Sequence, residues 1–224
     1  MKNKKWLLPA ASLILAVLAL IAYTMLQEER TTLMYVQVVA AAFVPLIVPI
    51  ISTITKKEFP PIINILITVH VLLASHLGSA LGFYSRFSCW DLVMHGYFGF
   101  VGATALYVLL MKWNGASLKR FGFFVLIFLG TMGCAALWEV FEFSADTLLG
   151  CDAQRVHEAL VLGNSPVKDT MTDIMVAAFG VVAFFIGLLI IELPVNCTAH
   201  DPNAFLIQKI FFKHYPIKNQ KHQC

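Results

Sequence analysis

Apolar and polar positions divide this chain into six long apolar runs joined by short polar stretches. The runs cover residues 6–26, 33–54, 61–83, 94–112, 119–145 and 171–192. Each supplies about the 20 residues that a helix needs to cross a hydrocarbon layer of ~30 Å. Backbone groups in hydrocarbon must find partners within their own segment, so such runs predict helices and not open strands. The pattern therefore predicts an all-α polytopic membrane protein, a bundle of six transmembrane helices within residues 1–192. A basic tail follows at 193–224, and no stretch is left for a separate soluble domain.

Interruptions within the runs refine this picture. Pro45 and Pro49 remove backbone donors from the second span and predict a bend there. The third span carries His70 near its middle and His76 further on. Six residues apart on an α-helix, they lie about 120° from each other and do not share a ligand. His70 reads as a neutral imidazole hydrogen-bonded within the bundle, and His76 as a candidate neighbour of the acidic site described below. Gly96, Gly99 and Gly102 form a smooth strip along the fourth span, where another helix can approach closely.

Composition agrees with a membrane protein: 59% of residues are hydrophobic, 13% are charged and the mean hydropathy is +0.78. The net charge of +3 does not point to nucleic acid, because the basic residues sort by loop. With a cytoplasmic N-terminus, Lys2, Lys4, Lys5, Lys56, Lys57, Lys112, Lys119, Arg120, Lys209, Lys213, Lys218 and Lys221 are inside. Arg30, Arg86, Arg155 and Lys168 are outside. This asymmetry predicts both termini in the cytoplasm; a bacterial cytoplasmic (plasma) membrane as the location is what the family resemblance described below implies. The first run is longer than the apolar part of a usual signal peptide and lacks an A-x-A cleavage pattern, so it reads as a retained span. In the tail, Asp201-Pro202 suits a helix start, and Lys209 to Lys221 would favour anionic lipid. The five cysteines show no metal-binding spacing. Cys89 and Cys151 fall on the outer side, read first as free thiols, with a disulfide open in an oxidising compartment.

The acids change the picture most. Trp138-Glu139-Val-Phe-Glu142-Phe-Ser-Ala-Asp146 closes the fifth span with three carboxylates within about 60° of one helix face. Asp91 and His95 are an i, i+4 pair at the start of the fourth span, as are Asp169 and Asp173 at the start of the sixth. These three segments place six carboxylates, with one or two histidines, at similar depth on consecutive helices near the outer leaflet. So many like charges cannot all ionise in one pocket without a counter-charge. A divalent metal supplies it most simply, and oxygen donors with an imidazole suit Mg²⁺, Mn²⁺ or Zn²⁺ without choosing among them. A proton or ion pathway and a purely structural polar network are the alternatives. In the metal reading His95, Glu139, Glu142 and Asp173 are the ligands and Asp91 orients His95. His76 stands nearby, and Asp146 or Asp169 is general base to a metal-bound water.

The three motifs, Trp90-Asp91-x3-His95 with Gly99, Trp138-Glu139-x2-Glu142-x3-Asp146, and Asp169-Thr-x2-Asp173-x3-Ala177-x2-Gly180, resemble in order those of the YjdF-type bacterial inner-membrane proteins. The resemblance covers roughly residues 60–192. More distantly the order is similar to VanZ-like proteins, except that Glu142 stands where that group has glutamine. Neither family has a settled activity, and the VanZ-like association with glycopeptide resistance implies at most a role at the cell envelope. The sequence thus leaves enzyme, carrier and structural module all open. Its expected partners are the lipid bilayer and a lipid or lipid-linked ligand.

Overall fold

The computed structural model describes residues 6–26, 32–113, 120–150, 152–161, 163 and 165–196, and every regular element among them is helical. These are α1 (Leu7–Leu26), α2 (Thr32–Phe43), α3 (Ile47–Thr55), α4 (Pro61–Val71), α5 (Phe83–Arg86), α6 (Trp90–Lys112), α7 (Arg120–Leu149), α8 (Val156–Val161) and α9 (Pro166–Asn196). Six helical segments are long and apolar enough to cross a membrane, at Leu7–Leu26, Met34–Thr55, Pro61–Ala80, Trp90–Lys112, Phe121–Leu149 and Pro166–Ile190. The N-terminal lysines, the 114–119 joint, Cys151 and the tail from residue 197 lie outside the described residues. Cys89 is an exposed free thiol.

The second span changes its winding where its prolines fall. A 3₁₀ turn at Val44–Leu46 separates α2 from α3, and Pro45 and Pro49 are both fully buried. The third span departs from the expected single α-helix. After Val71 it widens into a π-helix over Leu72–Ala80, and Leu81 N–H donates to the His76 carbonyl at 3.0 Å. Such i→i+5 winding turns His76 away from the angle that α spacing assigns it.

Further boundaries differ from the hydropathy reading, α7 running to Leu149 instead of 145 and α9 to Asn196 instead of 192. Helix α6 starts at Trp90 instead of 94, and α9 at Pro166 instead of 171. Hydropathy trims charged turns, but Pro166 suits a first helical position, and Asp91 and Asp169 suit the positive end of the helix dipole.

Helix α6 is the centre of the bundle, packed chiefly on α9 and also on α7 and α4. Its glycine strip makes this contact. A Cβ on Gly99 would overlap the Ala177 carbonyl, one on Gly180 would overlap the Gly96 carbonyl, and one on Gly102 would press on the Thr131 side chain of α7. Away from the glycines, Tyr107, Phe123, Ile127, Val181, Phe184 and Leu188 fill the core between the three helices. A second core of Ala16, Ala19, Tyr23, Val38, Ala42 and Ala80 joins α1, α2 and the π-helix.

Candidate functional site

Burial on α7 sorts lipid-facing from inward-facing positions. Leu137 is 69% exposed, and Val140, Phe141 and Phe143 also face outward, whereas Glu139 is 6% exposed. Apolar neighbours turned to hydrocarbon therefore drive Glu139 inward, against α6 and α9. Asp173 on α9 and His95 on α6 are buried there as well.

The three helices bring three carboxylates together around one imidazole. His95 Nε2 is 3.6 Å from Asp91 Oδ1 and 4.0 Å from Asp173 Oδ2, while His95 Nδ1 is 3.8 Å from Glu139 Oε1. One ligand atom each from Asp91, His95 and Asp173 can be chosen so that all lie within 4.8 Å of one another. Glu139 Oε1 and Asp173 Oδ1 are buried without a hydrogen-bond partner. The Thr170 side chain hydrogen-bonds to Glu139, and Asp169 lies close enough to act on both His95 and Glu139 through its charge.

This arrangement exchanges two expected places. Asp91, expected to orient His95, lies with Asp173 on the Nε2 side, the side of the compact group. Glu139, expected within the ligand set, faces the opposite ring nitrogen. The spacing of Asp91 and His95 fixes a shared face but not which nitrogen meets which acid, and only the packing of α7 and α9 on α6 decides that.

The other expected residues take separate places. Glu142 accepts a hydrogen bond from Trp138 Nε1 at 2.9 Å, one turn back on the same helix. It stands beside the compact group and close to Tyr84. Asp146 accepts the backbone N–H groups of Ala153 and Gln154, one on each carboxylate oxygen. It anchors the loop between α7 and α8. His76 is buried where the π-helix meets α1, near the Ser12 backbone but without a well-formed hydrogen bond on either ring nitrogen. No ion pair joins it to the acids among the described residues. His70, expected to be hydrogen-bonded within the bundle, instead stacks on Tyr97 with centroids 5.7 Å apart, and its Nδ1 is buried without a hydrogen-bond partner.

Arg155, by sequence only a charge of the outer loop, belongs to the site. It adopts a left-handed backbone (φ 53°), its Nη2 donates to the Tyr84 carbonyl at 2.7 Å, and its Nη1 is 3.9 Å from Asp91 Oδ2. The guanidinium also lies 5.4 Å from the centre of the Tyr84 ring. Burial, with Asp91 and Glu142 close by, pushes the Tyr84 phenol above its ordinary range, so it stays protonated. The sequence does carry a signal for Arg155: it is a basic residue in the longest joint between two acid-bearing spans.

A family model described as "Predicted membrane protein (DUF2238)" matches residues 8–192, which takes in all six spans and every residue of the site. The match is compatible with the YjdF-type resemblance, which it does not name. An uncharacterized protein of Thermotoga maritima is 31% identical over 96 residues, 43% of this chain and 50% of that relative. The chain thus spans about half the length of the curated relative it matches. No solved structure matches it.

Proposed function

The chain belongs to the membrane-protein family DUF2238, and from that premise we propose that it is a divalent-cation-dependent membrane enzyme acting on a lipid or lipid-linked substrate. The observation that carries this reading is the convergence of Asp91, His95 and Asp173 from α6 and α9, with ligand atoms within 4.8 Å of one another. The buried Glu139 and Asp173 oxygens that lack hydrogen-bond partners support it. Isolated, such oxygens would cost about 1–3 kcal/mol each.

In this reading Asp91, Asp173 and His95 Nε2 would hold the cation, and Glu139 would accept a hydrogen bond from Nδ1–H and fix the ring, as acids behind metal-bound imidazoles do. When bound, the cation would polarise a substrate oxygen or acidify a water. Asp169, close enough to act on His95 and Glu139 through its charge, would be the base for that water, whereas Asp146 is tied to the loop. Oxygen donors with one imidazole fit Mg²⁺, Mn²⁺ or Zn²⁺. The loop charges favour a cytoplasmic-membrane topology with both termini inside and the site open to the outer leaflet.

Metal analysis of the purified protein after loading and desalting tests this. A stoichiometric divalent ion, lost in His95→Ala and Asp173→Asn, is the expected result; a wild type that retains none overturns the reading. A second reading, a proton pathway, is favoured by the same buried oxygens beside His95 and by His70 close to it. Proton flux in liposomes that disappears in Glu139→Gln would select it.

A further inference from the structure

Side-chain exposure grades the site from rim to floor: Asp91 22%, Arg155 18%, His95 11%, Glu139 7% and Asp173 6%. Asp91 stands between an imidazole and a guanidinium. Its Oδ1 faces His95 and the compact group, and its Oδ2 faces the Arg155 guanidinium. A cation bound through Oδ1 and the guanidinium at Oδ2 would flank a single carboxylate.

Several contacts hold Arg155 there. Asp146 accepts two loop N–H groups just before it, the Asp152 carbonyl accepts its own N–H, and the Gln154 side chain reaches Thr170 at 3.4 Å. Residue 155 keeps a left-handed backbone without being glycine. That conformation costs a non-glycine residue of order 1–3 kcal/mol and persists only where its surroundings impose it. The loop therefore turns inward a guanidinium that would be fully hydrated if it pointed outward.

We propose that Arg155 is the built-in counter-cation of this site, competing with the divalent cation for Asp91 until an oxyanion of the phosphate type takes the guanidinium. The proposal rests on the cation reading above and adds its regulation. The Asp91 to His95 geometry follows from their places on one helix, so removing Arg155 leaves the carboxylate in position and removes only the like-charge repulsion. The planar guanidinium fork matches phosphate oxygens. Once such a group draws it away, Asp91 recovers its full charge for the cation. Cation and oxyanion then assist each other, and the coupling is reciprocal.

Mn²⁺ titration of the full chain in nanodiscs tests the idea, with wild type, Arg155→Gln and Asp146→Ala. Each is measured alone, with inorganic phosphate, and with phosphatidic acid in the disc. Arg155→Gln is expected to bind Mn²⁺ about tenfold more tightly than wild type in the absence of phosphate. Asp146→Ala, which frees the loop, is expected to shift affinity in the same direction. Phosphate or phosphatidic acid should tighten Mn²⁺ binding by wild type and leave Arg155→Gln unchanged. An effect of phosphatidic acid alone assigns the oxyanion to a lipid headgroup, and an effect of both assigns it to phosphate in general. Wild type that binds Mn²⁺, with Arg155→Gln equal or weaker, overturns this proposal alone. Lack of response to either phosphate source removes the oxyanion and with it the switch. Wild type that binds no Mn²⁺ overturns the cation reading and this proposal together.

Discussion

Placing an ionised carboxylate in hydrocarbon costs about 2.5–3.5 kcal/mol on insertion scales, so each acid on α7 has to be met by a partner. Glu139 meets His95 and Thr170, Glu142 meets Trp138, and Asp146 meets two loop amides. One acidic face, legible from spacing, thus serves three neighbours that spacing does not reveal. Its members should respond differently to substitution. Asp146→Ala removes two charge-assisted hydrogen bonds and is expected to destabilise the loop by about 1–3 kcal/mol. Faster amide exchange at 153–155 with unchanged exchange in the spans checks this. Glu139→Gln keeps the volume but weakens the hold on His95 Nδ1, and in the cation reading costs about 10- to 100-fold in metal affinity. Glu142→Gln, whose bond to Trp138 lies outside the compact group, should cost far less. Equal losses in the two variants would contradict the different places assigned to them.

At the scale of elements, glycines separate close contact from open space. Gly99 and Gly180 sit where α6 and α9 touch backbone to backbone, whereas a Cβ added to Gly133 on α7 would meet nothing within 4 Å. Gly99→Ala is therefore expected to destabilise by about 1–3 kcal/mol or more through overpacking. Gly133→Ala should be neutral or stabilise by up to ~1 kcal/mol through helix propensity. Thermal unfolding in one detergent compares them directly. The strip at 96, 99 and 102 is readable from the sequence because its spacing is regular. Pairing Gly180 with Gly96 requires knowing that α9 runs alongside α6. The π-helix is hidden for a different reason: its residues, Leu72-Leu-Ala-Ser-His76-Leu-Gly-Ser-Ala80, have the composition of an ordinary apolar helix. Ordinary α spacing consequently gives His76 a direction that this winding does not.

Across the whole molecule, six spans are legible because hydrocarbon demands a minimum apolar length and the joints are short. Convergence of the last three spans is legible because consecutive helices tend to be neighbours. The choice among acids is not, since it depends on how two helices present side chains to a third. That choice has a consequence for overall stability. Asp91, Asp173 and Glu139 surround one imidazole, with the Arg155 guanidinium the one nearby among the described residues, so without a cation those that are ionised repel one another. In the cation reading, an ion that binds only the folded protein stabilises it by about 2.7 kcal/mol at a hundredfold excess over its dissociation constant. Mn²⁺ should therefore raise the thermal midpoint of wild type, and a chelator should reverse the rise. Asp173→Asn removes both a ligand and a repelling charge. It should melt at or above wild type in chelator, gain little from Mn²⁺, and so cross the wild-type curve as the ion is added. Parallel curves, with both proteins gaining equally, would mean that the ion stabilises the fold from somewhere other than the junction of α6, α7 and α9.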